Sequence, residues 1–586
     1  MRYIDIGEKM RLPIQFALIY AWLVSLNGTS SFYSVYILCA FLALVAGIAL
    51  KEKSISLLRR EKSWLLICSI FFSLMVILGN IPLYFHADSL QPKLHFWIAL
   101  FAGTYIAWEI LVFLTEQASV AKENTNYKTR IDKFPSVVFI FSFCVISAIY
   151  CFYFFVVAYP GVYSADSIST FSQILSGNYN NTMPFWHTIT VGLVVKPIYA
   201  LSGNLNTAAA CFICLQIFFL VACMSYSIAT MYQAGVKPIF LFLAALVYTL
   251  APYNIVYSVT LWKDVLFGAA LLLMVTAMYR ILSGMPGKSN YILFSVGALG
   301  GCLWRTNGWY TFAIAALFML LILRKEPMFY RFMILMLGIC VLAWILLNPV
   351  LTLLNVESTD LIEAFAVPFQ QFARYFAEDG WMDDVERDLL GMAFDLDKVK
   401  ELYEPYCVDP IKFQAFRREN LNYIQDNLSE YIKLYLRFFQ RRPDIFLEAW
   451  ADVTKGFWCG GFSDPMYDMG VVANELGLMQ SSGDSKLALK LIGFCDFLRY
   501  NTLLEPLYAI GLHVWAIFAC FIINMIQNKK LCLLSIPFMI ISIGLMFGSP
   551  VVAEFRYGYP MVLAAPFLLA VTIFRHQSPS LSAEGK

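Results

Sequence analysis

The chain has 586 residues, of which 60% are hydrophobic, 16% aromatic and 14% charged, and its mean hydropathy is +0.67. These values exclude a soluble globular domain and place the chain among polytopic membrane proteins. A net charge of +2, with basic residues scattered through short connections, leaves no footprint for nucleic acid.

In chain order, apolar runs at 13–28, 32–50, 64–84, 93–116 and 135–157 come close to the roughly twenty residues that cross a bilayer as helix. The N-terminus carries Arg2, Lys9 and Arg11 beside Asp5 and Glu8, has no cleavage-site pattern and reads as mature sequence. Lys51, Lys53, Arg59, Arg60 and Lys62 load one connection; Lys122, Lys128, Arg130 and Lys133 load another two spans later. The positive-inside rule puts both in the cytoplasm and turns the next segment outward. That segment, Tyr159 to Thr188, holds no Lys or Arg and one carboxylate, Asp166. Pro160-Gly161 ends the preceding helix, because proline cannot continue the hydrogen-bond ladder and glycine accepts turn dihedrals. Ser164 to Leu175 then predicts a short amphipathic helix, with Ile168, Phe171, Ile174 and Leu175 on one face and Ser167, Ser169 and Gln173 on the other.

Phe185 to Leu201 is apolar enough to cross, but crossing would force Lys288 and the cluster Arg324, Lys325 and Arg331 outside. It is therefore read as interfacial, within an outer loop at 158–207. Further spans are predicted at 208–231, 237–257, 263–283, 290–304, 309–323 and 330–353, the short pair around Arg305-Thr306-Asn307-Gly308 meeting at the outer side. Residues 355–502 hold most of the charge, show helical periodicity from Ile411 to Phe439 and are long enough for an extracytoplasmic, mainly helical domain. Spans at 503–527, 530–548 and 556–574 return the C-terminus to the cytoplasm, with Lys529, Lys530 and Arg575 on the expected side. The fold class is thus an all-α polytopic membrane protein of about fourteen crossings, with both termini cytoplasmic in the plasma membrane. Its parts are accessory helices at 1–134, a core at 135–354, the domain at 355–502 and C-terminal helices at 503–586. No transporter-type internal repeat is visible. Most cysteines lie in apolar spans, and only Cys407, Cys459 and Cys495 lie in the polar region, where a disulfide is one option.

In this topology the charged outer set is small: Asp166, His187, Lys263, Asp264, Arg305, Glu554 and Arg556. Charges at or within spans are costly and are usually paired or functional. All but Glu554 carry a functional reading beside a structural one. Asp166 is a base or a helix cap; Lys263 and Asp264 are site residues, a local ion pair or helix N-terminal charges. Arg305 and Arg556 are anion ligands or snorkelling anchors, and His187, beside Phe185 and Trp186, is a site residue or part of an interfacial aromatic belt.

These residues resemble something known. Tyr159-Pro160-Gly161 with Ser164 and Asp166-Ser167, His187-Thr188, Leu261-Trp262-Lys263-Asp264, Arg305-Thr306-Asn307-Gly308, Pro368-Phe369-Gln370-Gln371 with Arg374, and Arg556-Tyr557 look like a bacterial multi-spanning family of unknown function. The arrangement of an acidic first outer loop, a juxtamembrane helix, two spans and a second acidic loop resembles the GT-C class of polyprenyl-phosphate-dependent glycosyltransferases. The likeness covers roughly 135–575 and omits the first four spans. It implies transfer of a sugar from a polyprenyl-phosphate carrier to a cell-envelope glycan, lipid or protein acceptor. It assigns Asp166 as catalytic base with His187 beside it, and Lys263, Asp264, Arg305 and Arg556 to the donor phosphate. Tyr163, Ser167, Gln173, Trp262, Asn307, Gln371 and Arg374 are candidate substrate-binding residues, and Trp381, Trp450, Trp458 and Tyr467 offer aromatic faces to an acceptor. A metal of the class, Mg²⁺ or Mn²⁺, would fall to Asp166 and Asp264. One carboxylate per loop leaves the alternative that lysine and arginine alone neutralise the phosphate.

Two other classes fit parts of the pattern. A lipid-linked oligosaccharide polymerase or ligase predicts more clustered outer cations for its pyrophosphate donor, and a flippase predicts polar groups near the bilayer midplane. Cysteine labelling tests the topology: residues placed at 202–206 are expected to react only from outside, and labelling from the cytoplasm would overturn the interfacial reading of Phe185 to Leu201.

Overall fold

The computed structural model describes residues 2–27, 33–50, 57–85, 90–123, 134–285, 287–358, 362, 365–462, 470–480 and 482–574. Lys51, Lys53, Lys128, Arg130, Lys133, Tyr467 and Arg575 lie outside the described residues. Among the described residues the chain is helical, with isolated β-bridges and no sheet.

The first group of helices is α1 (Arg2–Ser25), α2 (Tyr33–Leu50), α3 (Arg59–Leu78), α4 (Ile81–Phe85) and α5 (Leu90–Glu123). The core follows with α6 (Ser136–Tyr153), α7 (Ala165–Ser176), α8 (Phe185–Ser202), α9 (Leu205–Gln233), α10 (Pro238–Leu250), α11 (Pro252–Ser258), α12 (Lys263–Leu282), α13 (Ser289–Leu303), α14 (Gly308–Leu323), α15 (Phe329–Leu347) and α16 (Pro349–Leu353). The charged region folds as α17 (Ala366–Ala377), α18 (Asp384–Ala393), α19 (Leu396–Leu402), α20 (Leu421–Asp426), α21 (Leu428–Arg441), α22 (Pro443–Thr454) and α23 (Lys486–Arg499), and the chain closes with α24 (Ile510–Gln527), α25 (Ile536–Gly548) and α26 (Phe555–Ile573).

Helix α12 is the axis of this arrangement. It is apolar on every side, and every residue from Asp264 to Leu282 is buried, as such a helix must be. It packs against α9, α13 and α26. Helix α13 approaches so closely that a Cβ on Gly297 would lie 2.6 Å from the Ala270 carbonyl oxygen and the Met274 nitrogen. The charged region has its own core, in which Phe372, Phe394, Val408, Ile411, Leu434, Phe438 and Phe446 pack together.

The expectation of about fourteen crossings is met only in part. Among the described residues nine helices are long and apolar enough to cross, or ten if α10 and α11 are one span bent by 46°. The bend falls at Ala251-Pro252, where proline interrupts the ladder. The expected spans at 13–28, 290–304, 309–323 and 530–548 hold the shorter apolar helices Leu12–Ser25, Ser289–Leu303, Gly308–Leu323 and Ile536–Gly548. At 1.5 Å per residue the 13-residue α25 covers about 20 Å, short of a hydrocarbon core of about 30 Å. All fourteen cysteines are unpaired, Cys407, Cys459 and Cys495 included.

Helix α8, which loop charge reads as interfacial, is not among the crossing candidates. Its first turn carries His187 beside α12, and just past its end Asn206 bonds to the Gly477 carbonyl and accepts from the Met479 N–H. The same segment, 470–480, pairs with Tyr163. Both ends of α8 thus meet one end of the bundle.

Gly297→Ala is expected to cost about 1–3 kcal/mol through overpacking, whereas Gly338→Ala, with nothing within 4 Å, is expected to be neutral or slightly stabilising. Thermal melting in detergent compares them; equal midpoints would refute the close approach of α12 and α13.

Candidate functional site

Three chain segments lie side by side at this end of the bundle. The Val162 N–H donates to the Val259 carbonyl at 2.9 Å, and the Leu261 N–H returns to Val162 at 3.1 Å. On the other side Tyr163 exchanges bonds with Gly470 and Val472, each at 3.0 Å. Gly161 permits the approach, for it sits at φ +145° and a Cβ there would strike the Tyr163 ring. Asp166 and the Lys263-Asp264 pair are thereby locked to one another.

Ser164 takes the N-cap position of α7; its N–H donates to Ser167 Oγ at 3.1 Å, and Ser167 Oγ donates to the Leu261 carbonyl at 2.8 Å. Asp166 is therefore not the cap. It stands one residue inside the first turn, and its Oδ2 receives Arg556 Nη1 at 2.8 Å. The capping reading of Asp166 is corrected, because a serine two residues earlier fills that place.

Asp264 occupies the first turn of α12 with its side chain 1% exposed. Oδ1 pairs with Arg305 Nη1, while Oδ2 is buried with no hydrogen-bond partner. Arg305 comes from the α13–α14 turn and Arg556 from the start of α26, where Glu554 Oε1 lies 3.5 Å from Arg556 Nε. Lys263 is half-buried, forms no hydrogen bond or ion pair among the described residues, and lies within electrostatic reach of Asp166, Asp264, Arg305 and Arg556. His187 is buried; desolvation, and secondly the Lys263 charge, push its pKa down to about 3. It is neutral at physiological pH, and its Nε2 and the Thr188 Oγ1 next to it have no partner. Buried polar atoms without partners are rare in native folds. Of those in this protein, Asp264 Oδ2 and Arg556 Nε belong to the ion-paired groups themselves, and His187 lies within electrostatic reach of Lys263.

The structure brings together Asp166, His187, Lys263, Asp264, Arg305 and Arg556, and Trp262 with them, its indole N–H on Ser164 Oγ at 2.8 Å. Other candidates sit elsewhere or are engaged in architecture. Tyr163 is buried with its hydroxyl on the Pro160 carbonyl, and Gln173 clasps Asn180, closing the loop after α7. Asn307 is exposed, and its carbonyl accepts from Thr311. Gln371 is held by Tyr435 and the Phe446 carbonyl inside the charged domain. Arg374 there binds Glu378, Glu448 and Asp452 at 2.7, 2.6 and 2.8 Å, a buried hub. Trp450 and Trp458 stack on each other, Trp458 wholly buried, and Trp381 is the exposed one among the described members of this aromatic set, with Arg441 over its ring at 4.5 Å.

Residues 176–585, well over half of the chain, match the model of a family of unknown function, DUF6020. The chain belongs to that family. No curated protein and no solved structure matches it. The DUF6020 match includes His187, Lys263, Asp264, Arg305, Glu554 and Arg556 and begins after Asp166. The contact between Asp166 and Arg556 ties the preceding loop to the family segment.

The donor set does not fit Mg²⁺ or Mn²⁺. Among the described residues no three ligating side chains converge, and Asp264 Oδ1 and Asp166 Oδ2 are each held by an arginine. The set suits an anion through its unused donors rather than its net charge: Lys263, Arg305 and Arg556 face three carboxylates, Asp166, Asp264 and Glu554, but Lys263 forms no hydrogen bond or ion pair among the described residues and Arg556 Nε makes no hydrogen bond.

Asp264→Ala is expected to cost about 3–5 kcal/mol, because it leaves Arg305 without its partner. Combining it with Arg305→Met is expected to recover part of that loss. Additive losses in denaturation of the single and double variants would show that the two side chains are not coupled.

Proposed function

We propose that the protein is a GT-C-like membrane glycosyltransferase that transfers a sugar from a polyprenyl phosphate to a cell-envelope acceptor on the outer face. One observation carries the reading: three cations and three carboxylates meet at one end of the bundle, with Lys263 unpaired and the buried Asp264 Oδ2 and Arg556 Nε without hydrogen-bond partners. The basic residues Lys288, Arg324 and Lys325 stand at the opposite ends of α13 and α14, which favours assigning the site to the outer side.

In this reading Asp166, whose side chain is 33% exposed, accepts the proton of an acceptor hydroxyl. The acceptor oxygen forms a bond to the anomeric carbon as the bond from that carbon to the phosphate oxygen breaks, with inversion. Negative charge grows on the departing phosphate, where Arg305, Arg556 and the unpaired Lys263 oppose it. Asp264 holds Arg305 in place, and His187, neutral and buried, donates or accepts a single hydrogen bond at the cluster.

Asp166→Asn keeps the side-chain size but cannot take a proton. Since Ser164 caps the helix and the Asp166–Arg556 pair is partly exposed, the stability loss is expected to stay within about 1 kcal/mol. Turnover is expected to fall about 10²–10⁴-fold. In cells, a chromosomal Asp166→Asn allele is expected to accumulate the same polyprenyl-phosphate sugar as a deletion. A deletion strain with unchanged lipid-linked sugars would overturn the reading.

A further inference from the structure

Beside the ion pairs, the two arginines take part in a second arrangement. The Arg305 guanidinium carbon lies 5.5 Å from the Phe267 ring centroid and 5.1 Å from that of Tyr557. The Arg556 guanidinium carbon lies 5.1 Å from the same Tyr557 ring and 5.3 Å from that of Trp262. Phe267, Arg305, Tyr557, Arg556 and Trp262 thus form a ladder of alternating rings and guanidinium groups, with Tyr557 shared. The two guanidinium carbons are at most twice the shared distance apart.

Two like charges in one buried site repel, and with nothing between them they would separate or be screened by water. A tyrosine ring answers this: its negative face attracts both cations and gives each a flat surface. The backbone that carries the ring is held, since Tyr557 follows Arg556 at the start of α26 and its N–H donates to the Glu554 carbonyl at 3.0 Å. Each arginine uses a single Nη1 on its aspartate. Arg556 Nε makes no hydrogen bond, and Nη2 reaches only the Tyr557 hydroxyl at 3.5 Å. Glu554 Oε1 stands 3.5 Å from Arg556 Nε without a hydrogen bond, so donors on this guanidinium remain for an acceptor with several oxygens.

We propose that Tyr557 is a positioning residue that spaces Arg305 and Arg556 so that a single phosphate group engages both. The proposal rests on the phosphate-donor reading above and adds what sets the geometry of its anion site. Phe267 and Trp262 are the outer plates of the ladder: Phe267 stands one helical turn beyond Asp264 on α12, so one helix supplies both the ion-pair partner and a ring of Arg305.

The experiment uses the full chain in detergent, with geranylgeranyl phosphate as probe and geranylgeraniol as the uncharged control. Wild-type protein is expected to bind the phosphate and not the alcohol. Tyr557→Leu, which removes two ring contacts, is expected to bind the phosphate about tenfold more weakly. Tyr557→Phe, which keeps the ring, is expected to restore binding to within about threefold of wild type. Phe267→Leu, disturbing Arg305 from its other side, is expected to weaken binding by a smaller factor, and stands in should Tyr557→Leu fail to fold. Phosphate binding by Tyr557→Leu or Phe267→Leu equal to wild type would overturn the spacer role while leaving the donor reading in place. Wild-type protein that ignores the phosphate would overturn both. Ring-dependent phosphate binding in a protein that transfers no sugar would uphold the spacer and remove only the glycosyltransferase reading.

Discussion

A carboxylate buried in the first turn of a helix that is apolar on every side has to be compensated where it stands. Asp264 is that carboxylate, and water cannot solvate it because α9, α13 and α26 enclose α12. The compensation comes from Arg305 on the next helix pair, which brings the α13–α14 turn over the end of α12. That arginine needs surfaces of its own, and finds them on Phe267 and Tyr557. Tyr557 carries Arg556 with it, and Arg556 reaches Asp166 on the first loop. One buried charge thus propagates through rings and guanidinium groups to fix four connections at one end of the bundle. A hydrophobic replacement of the Asp264–Arg305 pair could give an equally stable helix packing. Retaining a costly pair whose second carboxylate oxygen stays unpartnered is easier to understand for a site than for a scaffold.

The backbone does the same work without charge. Residues 162 and 163 lie between 259–261 and 470–472 in a short run of bridges, the nearest thing to a sheet among the described residues. Such bonds tie a loop, a helix entry and a segment of the charged domain into one rigid piece, although none of the three is regular structure. Positioning within fractions of an ångström is what a site on loops otherwise lacks. The domain helps from a second direction, where Tyr406, Val408 and Gly456 bond to residues 550–552 just before Glu554 and Arg556.

The convergence of Asp166, Lys263, Asp264, Arg305 and Arg556 was legible because span counting and loop charge sort connections by side, and few charges remain on the quieter side. Hydropathy is blind to helix breaks, so the bend at Ala251-Pro252 and the short α25 escaped it. Motif residues could not be sorted by role either. Gln371 and Arg374 read as polar groups in a charged region, and nothing local distinguishes a ligand from a member of a buried ionic hub, since the partners Glu448 and Asp452 are far along the chain. Tyr163, Ser167 and Gln173 sit in the right loop but are used to build it. Tyr557 stands in the Arg556-Tyr557 pair but takes no role from the sequence, for a different reason: in a chain 16% aromatic, a tyrosine beside an arginine has no contrast. Its signal was the neighbouring Arg556, whose charge needs a ring once buried.

Two acids remain to be told apart, and accessibility separates them. A base must come within hydrogen-bond reach of the proton it removes, so geometry ranks ahead of acidity. The Asp264 side chain is 1% exposed and faces Arg305, so an incoming hydroxyl could reach it only if the pair opened. The Asp166 side chain is 33% exposed and held from one side by Arg556, leaving its other oxygen open to an acceptor. The cation that engages Asp166 is also the one whose Nε makes no hydrogen bond and which shares a ring with Arg305. Arg556 therefore stands where an acceptor-side carboxylate and a donor-side anion would meet. In the proposed reaction the same guanidinium would orient the base beforehand and receive phosphate charge during transfer, a division of labour that neither a capping aspartate nor a surface ion pair would require.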